Sequence, residues 1–83
     1  MSYDAAKLKR LFHDYNRRYW NGELPHYTIV TGVDLDEYAA HCYKPWRQIW
    51  FNDRHLKTDR QWRSTLLHEM AHIRSPRGHG QDG

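Results

Sequence analysis

Apolar residues are scarce in this chain of 83 residues: 39% are hydrophobic and the mean hydropathy is -1.07. There is one cysteine, Cys42, which excludes an internal disulfide framework. The same count excludes the Cys-rich zinc ribbons and fingers. No apolar run approaches the ~20 residues that a membrane span needs. The opening MSYDAAKLKR has no apolar signal core. These absences lead to the expectation of an intracellular protein without a membrane partner. There are no internal repeats and no low-complexity tracts, so the expectation is one domain over residues 1–83. A chain of this size hides only ~60% of its unfolded surface on folding, and its core is thin. Such domains often rely on a staple other than their core, and seven histidines make a metal ion the candidate.

Aromatics make up 14% of the chain, with four Trp, six Tyr and two Phe. A few rings of ~150–250 Å² each can build a small core. Thirteen basic residues against ten acidic ones give a formal net charge of +3. That permits contact with nucleic acid, although a solvated surface is the commoner meaning of such a balance.

The periodicity predicts a helix from Ser2 to about Trp20, with Leu8, Leu11, Phe12, Tyr15 and Tyr19 on one stripe. Ser2 or Asp4 would cap it, Asn21-Gly22 would stop it, and Pro25 prevents its resumption. Three strands follow: His26 to Val33, Tyr38 to Tyr43 and Arg47 to Phe51. The sheet is expected to be mostly antiparallel, with the second and third strands forming a hairpin. Thr58 and Gln61 form a capping box that opens a second helix from Asp59 to about Arg74, which Pro76 ends. The expected fold class is α+β. Its N-terminal helix and a later helix pack on the small three-stranded sheet.

That later helix carries His68-Glu69-Met70-Ala71-His72, an HExxH pattern. Residues four apart face the same way on a helix, so both imidazoles reach one ion. Glu69 lies ~100° from His68 and ~60° from His72, beside the ion rather than on it. That position suits a base, and zinc suits the ligands. A zinc site needs a third protein ligand, and the eleven residues after His72 offer few candidates. The metzincin pattern fails, because Ser75 and Gly78 stand where it needs Gly and His. His79, between Gly78 and Gly80, is the candidate, and Asp82 is a weaker substitute.

Several segments in order resemble the SprT-like (Spartan-type) zinc metalloproteases. They are Tyr19-Trp20-Asn21-Gly22-Glu23-Leu24-Pro25, Ala39-Ala40-His41-Cys42, Ile49-Trp50-Phe51-Asn52, Leu66-Leu67-His68-Glu69-Met70-Ala71-His72 and Gly78-His79-Gly80. The resemblance covers nearly the whole chain. It implies zinc held by His68, His72 and His79, with Glu69 as catalytic acid/base. It also implies intracellular proteolysis, often of DNA-bound or crosslinked proteins. In the family an aromatic and a further helix usually follow the HG pair, whereas this sequence stops at Gln81-Asp82-Gly83 and the spacer from His72 to His79 is short, so the expectation is a zincin-like minimal domain or a C-terminally truncated one.

The expected activity is therefore zinc-dependent hydrolysis of peptide bonds in a protein or peptide substrate, by a monomer, with DNA contact through the basic surface. Two other classes fit the same residues: a zinc-stabilised binding module without turnover, and a small nucleic-acid-binding domain. Cys42 reads as a small buried hydrophobe, because His41 beside it points to the opposite face of a strand. His13, His26 and His55 read as surface or capping residues. Trp46, Trp50 and Trp62 are expected mainly in the core. Tyr38 and Tyr43 are both candidates for a phenol that stabilises an oxyanion near the metal.

Overall fold

A computed structural model describes residues 3–74. Its elements are α1 (Ala5–Trp20), β1 (Thr28–Val30), β2 (Ala40–Tyr43), β3 (Gln48–Phe51), a 3-10 turn (Asp53–His55) and α2 (Asp59–Arg74). The class is α+β, as expected, with both helices packed on a three-stranded sheet.

α1 buries Leu8, Phe12 and Tyr15 on its apolar stripe. Asp4 caps it by accepting from the Lys7 N–H at 2.8 Å. Asn21 ends it in left-handed backbone at φ 59°, which Asn tolerates better than most residues. The buried Asn16 then fixes the exit of the chain. Its amide accepts from the Leu24 N–H at 3.0 Å and donates to the Leu24 carbonyl at 3.1 Å. Leu24 is thereby turned into the core. Asn16→Ala strands both Leu24 groups, so a loss of about 1–3 kcal/mol is expected. A urea or thermal melt measures it, and an unchanged midpoint would mean that the clamp carries no stability.

β3 is the central strand, in the order β1-β3-β2. β2 and β3 form the expected antiparallel hairpin, with Cys42 opposite Ile49 and His41 opposite Trp50. β1 departs from expectation by running parallel to β3. A parallel neighbour needs a crossover, and residues 31–47 supply it. The strands are also shorter than their β-rich sequence suggests. β1 stops at Val30, before Gly32 takes φ 74° and donates to Asp53 Oδ1 at 3.0 Å. Residues 35–38 close a turn ahead of β2, with the Tyr38 N–H donating to the Leu35 carbonyl at 3.0 Å. The buried Asn52 ties this loop down by donating to the carbonyls of Asp36 and Tyr38.

Ile29, Ile49 and Phe51 on the inner face of the sheet meet Leu8, Phe12, Trp62, Leu66 and Met70 of the helices in one core. The outer face carries a chain of rings that no helix among the described residues covers. Tyr43 lies 4.3 Å from His41, 4.6 Å from Trp50 and 5.7 Å from Trp46, centroid to centroid. Trp62 is a core residue as expected, but Trp46 is 66% exposed and Trp50 is only half-buried. For those two, the core expectation is corrected. Trp50 falls on the outward phase of β3, and Trp46 lies in the hairpin turn.

Candidate metal centre

α2 begins with the capping box read from the sequence. Gln61 N–H donates to Thr58 Oγ1 at 3.1 Å, and Gln61 Oε1 accepts from Thr58 N–H at 3.1 Å. Trp62, Leu66 and Met70, almost fully buried, pin one stripe of the helix to the core. That fixes its rotation and sets the neighbouring stripe, with His68, Glu69 and His72, along the edge of the core. His72 and Glu69 are both buried, while His68 is exposed.

His68 Nε2 and His72 Nε2 stand 3.1 Å apart, with the rings nearly perpendicular at 85°. Two nitrogens at 2.0–2.1 Å from one tetrahedral ion are separated by about 3.3 Å. One ligand atom from each of His68, Glu69 and His72 lies within 4.8 Å of the others. The donor set and its spacing therefore fit a zinc ion on the two imidazoles, with the carboxylate alongside. Burial pushes the Glu69 carboxyl up to about 7.

The sequence model of the SprT-like family matches residues 8–82. The chain belongs to the SprT-like family. Members of that family are in general zinc metalloproteases, and the His68–Glu69–His72 group is where a SprT-like chain would hold its metal. Neither a curated protein nor a solved structure matches the chain.

Behind Glu69 lies Cys42 on the inner face of the sheet, itself backed by Tyr27 just ahead of β1, and the sequence flagged neither for this site. Cys42 interacts electrostatically with Glu69, and its thiol is pushed up to about 11, chiefly by burial and then by that carboxylate. The Tyr27 hydroxyl donates to the Cys42 sulfur, and burial raises the Tyr27 pKa as well. In the SprT-like chain Cys42 is thus a protonated, partly buried wall of the site rather than a reactive thiol. The alternation of β2, read together with its register on Ile49, is the signal that would have placed it there.

His41 faces outward, opposite Trp50, and so makes no pair with Cys42. Tyr43 shares that outward face, away from α2, which removes it as an oxyanion donor. Tyr38 is exposed ahead of β2. His55 is tied to the Asp36 carbonyl at 2.6 Å, a loop-fixing role that matches expectation. His79 and Asp82 lie outside the described residues, as does Ser2. The Glu23–Arg74 ion pair, at 2.9 Å, joins the last turn of α2 to the α1–β1 connection. Both side chains are half exposed, so the pair is worth at most about 1 kcal/mol. Among the described residues, no helix is long and apolar enough to cross a membrane.

Proposed function

We propose that this SprT-like chain is a zinc metallopeptidase that hydrolyses peptide bonds of intracellular proteins, DNA-associated ones among them. The observation that carries the reading is the 3.1 Å approach of two imidazole nitrogens beside a buried carboxylate. His68 and His72 would hold the ion, and His79 would complete the protein ligands. When bound, zinc acidifies a water and polarises a carbonyl oxygen. Glu69 takes the proton of the attacking water on a carboxylate oxygen and returns it to the leaving amine nitrogen.

β2 is an edge strand packed beside α2. An extended substrate that adds along that edge would be held through its backbone, which makes binding tolerant of sequence. The net charge of +3 supports contact with DNA near the substrate.

Metal analysis tests this reading. The purified chain should carry one zinc ion and His68→Ala none. Chelation should lower the melting temperature by several degrees or more, since about 4–8 °C corresponds to each kcal/mol in a domain of this size. Full zinc retention in His68→Ala would refute the ligand assignment. Stoichiometric zinc without any hydrolysis of an unfolded protein would make the chain a zinc-stapled binding module instead.

A further inference from the structure

The edge of the sheet away from the metal centre is also open. Among the described residues, β1 has β3 on one side and no strand on the other. The Thr28 N–H donates to the Arg47 carbonyl at 2.8 Å, which turns the peptide groups of residue 28 toward β3. Peptide groups alternate sides along a strand, so Ile29 turns its N–H and C=O to the open side. Among the described residues, none bonds to either group. Such an edge is a template for another strand.

A groove of about 230 Å³ runs beside it. Ala5, Ala6 and Lys9 of α1 form one wall, and His26, Tyr27 and Ile29 form the other. The two alanines leave room between helix and sheet for an incoming side chain. Lys9 stands in the wall, with Arg10 next to it and Lys7 two residues before it in sequence, and no acidic residue occurs from Ala5 to His13.

We propose that this groove docks an extended, acidic peptide segment that adds to β1 as a fourth strand. Backbone bonds to Ile29 would supply the pairing. A carboxylate whose stem lies over Ala5 and Ala6 would meet Lys9. A second copy of this chain fits poorly, because edge-to-edge pairing would bring the two basic walls together. The strip lies on the opposite edge from β2, so it acts as a separate anchoring site whether or not the metal centre turns over.

The test uses the isotope-labelled 83-residue chain with zinc and the Glu69→Gln change, so that no probe is cleaved. It is titrated with a short peptide of alternating Glu and Val. Amide shifts should appear at Thr28 and Ile29. Affinity should fall at least about tenfold (a 1.4 kcal/mol difference) when Lys replaces Glu in the peptide or when alternate peptide amides are N-methylated. Lys9→Glu should reverse the preference between the acidic and basic peptides. Shifts confined to β2 and α2, or equal binding of both peptides by the wild-type groove, would overturn the proposal. Self-association through Ile29 in the absence of peptide, seen by sedimentation, would assign the edge to a second copy and overturn it too.

Discussion

Glu69→Gln is expected to cut peptide-bond hydrolysis by about 10²–10⁴-fold while leaving the zinc content unchanged, the range a positioned general base contributes. Gln keeps the length and shape of Glu, so the buried slot beside His72 stays filled. Neither imidazole nitrogen is touched, and the ligand pair keeps its 3.1 Å spacing. The amide cannot accept the proton of the attacking water, and that single deficit is what the variant isolates. The melting temperature should not fall, because a neutral amide is cheaper to bury than a carboxylate. Turnover of an unfolded protein substrate and zinc content, measured on the same preparation, decide the matter. Retained turnover would remove Glu69 from the chemistry, and lost zinc would show that its carboxylate holds the ion.

Trp62→Ala should have the largest effect on stability. The indole is 1% exposed, stacked on Tyr3 at 5.3 Å and tilted against Phe51 at 5.8 Å. It joins the first described residue, the central strand and α2 in one contact. Truncation of a buried Trp costs about 3–5 kcal/mol, a large share of the ~5–15 kcal/mol that holds a domain together. The expected fall in melting temperature is roughly 10–40 °C at 4–8 °C per kcal/mol. Trp62→Phe is the informative companion. Among the described residues, the buried indole N–H has no hydrogen-bond partner. Removing that orphaned donor offsets part of the lost volume, so the Phe variant should lose far less than the Ala variant. Equal losses in the two would mean that the retained ring restores no packing and that removing the N–H offsets nothing.

The helices were legible because their signals are local. The Thr58–Gln61 box and the Asn21-Gly22 stop lie within a few residues of the ends they define, and both ends fall where those signals put them. The HExxH cluster was legible for the same reason, since one turn of helix brings His68 and His72 together. The parallel placement of β1 was not legible. Its β-branched residues specify a strand, but its partner lies about twenty residues on, and an intervening strand takes the other side of that partner. The Asn16 clamp was hidden too, because an Asn inside a helical stripe reads as a polar interruption until Leu24 returns to meet it. Trp50 and Trp62 carry the same side chain, and only the phase of the element separates an outward ring from a core ring.

The ring chain on the outer face has an optical consequence. Indole and phenol transitions couple when the chromophores lie this close and are held at fixed angles. The contact of Tyr43 with both Trp46 and Trp50 should therefore give the β2–β3 hairpin its own near-ultraviolet circular dichroism band. Of the four tryptophans, buried Trp62 should emit furthest to the blue and exposed Trp46 furthest to the red, with the half-buried Trp20 and Trp50 between them. Loosening of the hairpin would erase the dichroism while the blue emission persists. The dichroism of the ring chain thus reports on the hairpin, and the blue edge of the emission reports on Trp62 in the helix that bears the metal centre.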